Sequence, residues 1–237
     1  MSLKNKNIIV TGATSGIGKL LTEKLLREGV NVAFCGRSEQ KMSQLVTGLK
    51  ETSDNYYYQT FDATQYQHIS EFINNSISKL GDIDFLVNCA GANSSRDNVC
   101  DINIDDLQNM VNINMISPFV FMKEVYQQNM LKNKRGTIIN VLSTVCQYSN
   151  EGIGAYTASK SGFDALTKVF RKEVREQGVK VCAIYPGGVD TPFREADRPQ
   201  YLDPVSVVDA IYFMLNQAPN SSVDELTIRP LVEKNFV

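Results

Sequence analysis

Tyr156 and Lys160 stand four residues apart in the run Gly154-Ala155-Tyr156-Thr157-Ala158-Ser159-Lys160. On a helix, positions i and i+4 share a face, so a lysine ammonium would lie beside a phenol. A free phenol titrates near ~10, and a fixed neighbouring cation favours the phenolate. Such a pair can trade protons near neutral pH. The same spacing also occurs on ordinary surface helices with a snorkelling lysine, so the rest of the chain has to decide between the two.

Far upstream, Thr11-Gly12-Ala13-Thr14-Ser15-Gly16-Ile17-Gly18 follows an apolar run and opens a helical one. Glycines there let the backbone turn sharply and approach a pyrophosphate, which free N–H groups and the positive helix end attract. The spacing departs from G-x-G-x-x-G, with three residues between the first two glycines. After the second apolar run comes Gly36-Arg37-Ser38, where an NAD site would present a carboxylate to the ribose 2′-hydroxyl. A guanidinium there suits a 2′-phosphate instead, so NADP is favoured over NAD. Ser15 can add a hydroxyl to that phosphate, whereas Lys41 reads as a solvated helix residue. Asp62 either accepts from an adenine amino group or caps the next helix. Asn88-Cys89-Ala90-Gly91 ends the fourth run with small residues that let backbone pass close to a ribose.

The elements that must position these residues alternate. Strand-like runs are Asn7 to Thr11, Asn31 to Cys35, Tyr56 to Phe61, Phe85 to Asn88, Thr137 to Leu142, Lys180 to Tyr185 and Glu225 to Ile228. Between them lie stretches of helical period, such as Gly18 to Arg27 with Leu20, Leu21, Leu25 and Leu26. Alternation with right-handed crossovers predicts an α/β fold: a single doubly wound parallel sheet of Rossmann type, about seven strands, with helices on both faces. Ligands in such sheets bind at the carboxyl ends of the strands, where strand order reverses. At 237 residues one domain over 1–237 is the expectation. The long irregular stretch from Gly187 to Pro204 reads as a lid.

A net charge of −2 without like-charge runs argues against nucleic acid or an anionic membrane as partner. No apolar run approaches the ~20 residues of a membrane span and the N-terminus has no signal pattern, so a cytoplasmic protein is expected. Cys35, Cys89, Cys100, Cys146 and Cys182 are far apart and mostly in apolar runs. They read as buried reduced thiols, without the spacings of a zinc site, and no metal is expected.

Taken in order, Thr11 to Gly18, Asp62, Asn88 to Gly91, Asn114, Ser143, Tyr156, Lys160 and Pro186-Gly187 with Thr191 resemble the short-chain dehydrogenase/reductase family over nearly the whole chain. The resemblance implies an NADPH-dependent reductase, or an alcohol dehydrogenase in reverse, with a hydride passing between nicotinamide and a carbonyl or hydroxyl carbon. Tyr156 would be the general acid/base. Lys160 would tune Tyr156 and bind the nicotinamide ribose. Ser143, thirteen residues before Tyr156, would hold the carbonyl. Asn114 would mark a disturbed helix turn that keeps a relay water for the lysine. The cofactor would contact Gly12, Thr14, Ser15, Gly16, Ile17, Gly18, Arg37, Asp62, Ala63, Asn88, Ala90 and Gly91. Pro186, Gly187, Val189 and Thr191 would hold the nicotinamide carboxamide.

Cys89 departs from the second asparagine usual in its turn, and the C-terminus lacks the Gly-Gly ending of 3-oxoacyl reductases. That absence weighs against a 3-oxoacyl thioester reductase, which stays open as an alternative, with a catalytically silent NADP-binding sensor a more remote one. Asn93, Ser94, Cys146, Gln147, Tyr148, Phe193 and Arg194 are candidates for the substrate wall, and Arg194 or Arg198 for a substrate carboxylate. The resemblance further implies a homodimer or homotetramer through helices at Asn103 to Leu131 and Ile153 to Glu176.

Overall fold

In the computed structural model, residues 2–49, 55–193 and 198–234 are described. Seven parallel strands form one sheet in the order β3-β2-β1-β4-β5-β6-β7. They are β1 Asn7–Thr11, β2 Asn31–Gly36, β3 Tyr56–Thr60, β4 Phe85–Asn88, β5 Gly136–Val141, β6 Val179–Pro186 and β7 Glu225–Ile228. All seven expected strands are present, with ends moved by a residue or so. Those ends follow the ladder rather than apolarity: Gly136, outside the expected run, pairs with Val179.

The chain winds outward from β1 to β3, then returns to lay β4 against the other side of β1. That reversal puts helices on both faces. The α1 helix (Gly16–Arg27) and α2 (Glu39–Leu49) pack on one face, and α3 (Tyr66–Leu80) on the other. Successive strand residues point to opposite faces: Ile8 and Val10 join Leu21, Leu25 and Val46 in one core, while Ile9 joins Phe72 and Ile73 in the second. Each fully buried side chain of this size contributes roughly 1.5–3 kcal/mol, so two cores bracketing one sheet hold its register firmly.

The rod after β4 is less regular than its helical period suggests. It runs through α4 (Ile104–Val111), a π turn at Asn112–Ile116, α5 (Ser117–Val125), a second π turn at Tyr126–Met130, and a short α6 (Leu131–Asn133). Pro118 explains the first interruption. It has no N–H to offer the Asn114 carbonyl four residues back, and its ring crowds that carbonyl. The Ser117 N–H instead reaches the Asn112 carbonyl, five residues back. Beyond β5, α7 (Gly154–Val174) returns across the second face, and α8 (Pro204–Leu215) packs on α1.

Candidate active site

At the carboxyl ends of the strands lies a cleft of about 740 Å³. Its floor is the strand reversal. The Thr11 hydroxyl accepts hydrogen bonds from the Cys89 and Ala90 N–H groups, both at 3.1 Å, tying the end of β1 to the turn after β4. Gly12 follows at φ +68°, and a Cβ there would lie 2.8 Å from the Ala90 backbone N and Cα. Only glycine satisfies both demands. Ser15 is the N-cap of α1 but makes no capping bond with its side chain, so the first turn of the helix opens to the cleft.

At this end a side chain on Gly36 would meet the Thr14 methyl at 2.5 Å. The position that would carry a ribose-binding carboxylate is therefore closed by packing. Arg37 is exposed at the rim and makes no ion pair among the described residues. Lys41, read as merely solvated, lines the same wall. Asp62 does what a cap does locally, accepting from the Thr64 N–H and hydroxyl at 2.9 Å each, while still lining the cleft with Ala63.

Across the cleft, Tyr156 and Lys160 project from one face of α7, 9% and 5% exposed. The Lys160 ammonium donates to the Val141 carbonyl at the end of β5 at 2.9 Å. Burial pulls its pKa down from 10.5 to about 8. Burial also pushes the neighbouring thiols up, Cys89 to about 12 and Cys146 to about 11, so neither supplies an anion to Lys160 at neutral pH. Ser143 caps the short 3-10 turn Thr144–Cys146, its hydroxyl accepting from the Val145 N–H at 3.3 Å, and it lines the cleft with Tyr156.

Asn114 lies fully buried in the π turn behind that pair. Its amide donates to the Ala92 carbonyl at 2.8 Å and to the Ser159 hydroxyl at 3.1 Å, and its oxygen accepts from the Ala92 N–H at 2.8 Å. Ser159 in turn donates to the Tyr156 carbonyl. The bare face of Gly91 brings these groups together: a Cβ there would stand 3.0 Å from Asn114 Oδ1 and 3.4 Å from Lys160 Nζ.

Pro186, Gly187, Val189 and Thr191 line the far wall, with Thr191 packed over Gly16. Of the other residues singled out in the sequence, Gly12, Thr14, Ser15, Gly16, Ile17, Gly18, Ala90 and Gly91 also line the cleft. Asn88 does not. Its amide is turned into the sheet, bonding Asn140 at 2.9 Å and the Pro118 carbonyl at 3.3 Å, because β4 is buried on both faces there. Asn93, Ser94 and Phe193 also line the cleft, the Phe193 and Tyr156 rings 6.0 Å apart. Cys146, Gln147 and Tyr148 do not: Gln147 bonds Thr227 on β7, and the Tyr148 ring carries the Arg229 guanidinium. Arg194 lies outside the described residues; Arg198 is exposed, its N–H on the Asp190 carboxylate. Cys100, expected among buried thiols, is exposed on the turn Val99–Asp101. Sequence reasoning passed over Arg96, Tyr201, Glu233 and Lys234, all of which line the cleft. None belongs to a motif, though Tyr201 lies inside the stretch read as a lid.

Among the described residues no helix is long and apolar enough to cross a membrane, and no cluster of His, Cys, Asp or Glu is placed to hold a metal ion.

A doubly wound parallel sheet with a glycine turn at its strand reversal and a cleft at the carboxyl ends of its strands defines a Rossmann-type α/β protein. The family described as short chain dehydrogenase matches residues 6–202. The chain belongs to that family. An uncharacterized oxidoreductase of Staphylococcus epidermidis is 31% identical, the alignment covering 97% of this chain and 99% of the relative. Among solved structures, an alcohol dehydrogenase from the archaeon Thermococcus sibiricus, complexed with 5-hydroxy-NADP, superposes with a TM-score of 0.87 at 22% identity, covering 97% of this chain and 98% of that one. An actinorhodin polyketide ketoreductase with NADPH gives 0.86 at 25% identity, covering 95% and 96%.

Proposed function

We propose that the chain is an NADPH-dependent reductase of carbonyl compounds, working in reverse as an alcohol dehydrogenase, with Tyr156 as general acid/base. The observation that carries this reading is that Tyr156, Lys160 and Ser143 line the same cleft as the Gly12 to Gly18 turn. The donor set suits NADPH. The Gly12 to Gly18 turn and the start of α1 would hold the pyrophosphate, and Arg37, with Ser15 and Lys41 near it, the 2′-phosphate. Asp62, Ala63 and Ala90 would border the adenosine, and Pro186 to Thr191 the carboxamide. Asn88 would act from behind, through the turn it supports. Both the closed position at Gly36 and the NADPH complex of the polyketide ketoreductase favour NADPH over NADH.

Bound NADPH would supply the hydride to the carbonyl carbon. The chain's own residues do the rest. Ser143 donates to the carbonyl oxygen and orients it. The Tyr156 O–H bond breaks as a new O–H bond forms on the substrate oxygen, leaving a phenolate and an alcohol. The Lys160 ammonium, anchored on the Val141 carbonyl, stabilises that phenolate until a proton returns from solvent. Asn114 holds the widened turn through which the proton is relayed to Lys160. In the oxidative direction each transfer reverses.

Residues 1–237 form one such domain, 187–204 its substrate lid, and the working protein is a cytoplasmic homodimer or homotetramer. Tyr156→Phe should lower kcat roughly 10²- to 10⁴-fold while NADPH still binds, as read by fluorescence titration beside single-turnover assays on a panel of ketones and 3-oxo acids. Turnover persisting in Tyr156→Phe would refute the assignment.

A further inference from the structure

Glu233 lies five residues beyond β7, outside every motif, yet its carboxylate reaches the turn that follows β6. The Gly188 N–H donates to Glu233 Oε1 at 2.6 Å. The second oxygen, Oε2, is buried without a hydrogen-bond donor and lies 3.6 Å from Arg229 Nη1. A Cβ on Gly187 would collide with Oε2 and approach Pro230 Cδ to 2.9 Å, so the tail is seated on the bare backbone of that turn. The Gly187 N–H meanwhile donates to the Ile228 carbonyl at 2.8 Å. Arg229, whose guanidinium carbon is 4.7 Å from the Tyr148 ring centroid, ties the same tail to the loop after Ser143.

We propose that Glu233 is a positioning residue that holds the Pro186-Gly187-Gly188 turn in the shape the nicotinamide end of the cleft requires. This rests on the nicotinamide reading given above. Two successive glycines have more backbone freedom than any other pair and no side chains to pin them. A charge-assisted hydrogen bond is about twice as strong as a neutral one, so one carboxylate on the Gly188 N–H can restrict what the sequence leaves loose. Arg229 balances the carboxylate, and the ion pair is mostly shielded, with 15% and 16% of its side chains exposed.

The test uses the full chain and two ligands: NADPH, and 2′,5′-ADP, which has the phosphorylated adenosine half and no nicotinamide. Calorimetric titration of Glu233→Ala should show NADPH binding weakened roughly tenfold or more, with 2′,5′-ADP binding unchanged. Glu233→Gln retains a neutral acceptor for Gly188 and should recover about half of the loss in binding free energy. In turnover, Glu233→Ala should raise the KM for NADPH more than it lowers kcat. Unchanged NADPH affinity would overturn the proposal. So would tighter NADPH binding, which would make the carboxylate a plug that has to leave, and so would equal weakening of both ligands, which would point to a general loss of structure. If the wild-type chain binds neither ligand, the nicotinamide reading itself fails and this inference falls with it.

Discussion

At the glycine-turn end of the cleft, each section of the wall comes from a short stretch of chain at the end of its own strand: Gly12 to Gly18 after β1, Gly36 and Arg37 at the end of β2, Asp62 and Ala63 after β3. At the Tyr156 end, one small region draws on α7, the end of β5, the π turn before α5, the turn after β6 and the tail beyond β7. The first end works largely through backbone and absent side chains, the second through side chains carried in from distant segments. Local chain geometry can therefore specify the first end, whereas the second depends on the whole sheet being assembled. Damage at one end should stay with the cofactor, and damage at the other should reach the chemistry.

The sharpest way to break that contrast is Gly12→Ala. It forces an alanine to φ +68° and puts a methyl against the Ala90 backbone, and it should cost about 2–4 kcal/mol of stability, read by chemical denaturation. NADPH affinity should fall with it, because fold and site share that turn. If stability drops while affinity is kept, the turn is structural only.

A smaller effect is expected from Arg37→Ala. It should raise the KM for NADPH roughly 10- to 100-fold, leaving the KM for NADH and the melting temperature close to wild type. Equal loss with both cofactors would remove Arg37 from the phosphate site.

The gentlest probe is pH. Lys160 titrates near 8 in the fold against 10.5 for an ordinary lysine, because burial disfavours its charge. Between those values the unfolded chain binds the extra proton, so this group makes stability rise with pH over that window. The charge needed to hold the phenolate is lost over the same window, so kcat/KM should decline above about pH 8, approaching tenfold per unit. Lys160→Met should abolish the lysine's share of the stability slope in paired denaturation curves at either end of the window. A slope unchanged in Lys160→Met would mean that the lysine is not held at the depressed value.

This division also explains what could be read from the chain alone. The inner strands are buried on both faces and read as continuous apolar runs, and the partly exposed edge strands β3 and β7 were read as well, all with small errors at their ends. The Gly12 to Gly18 turn was legible for the same reason it functions, since glycine spacing records where backbone has to bend. Asn114 was visible only through family resemblance. Its physical signal was present but indirect, in a proline four residues later that forbids a regular helix. Asn88 was named for the small-residue turn that it opens, and its side chain faces away from the cleft to bond Asn140 inside the sheet, a partner that only the folded sheet supplies. Gln147 and Tyr148 were close in sequence to Ser143 but turn toward β7 and Arg229, and Cys146 packs against the second core instead of lining the cleft. Nothing local marks Glu233, which meets Gly188 only once strands far apart in the chain have paired.

The β1–β4 ladder stops at Val10 and Val87, whereas β1 stays paired with β2 one step further, to Thr11 and Cys35. The two halves of the sheet thus begin to diverge just before the glycine turn, and a single hydroxyl spans the opening. Threonine suits that junction because its branched carbon keeps an extended backbone while its oxygen replaces the rungs that have run out. Valine would keep the shape and lose the bridge. The depth at which the crevice begins is therefore set by the reach of one short side chain.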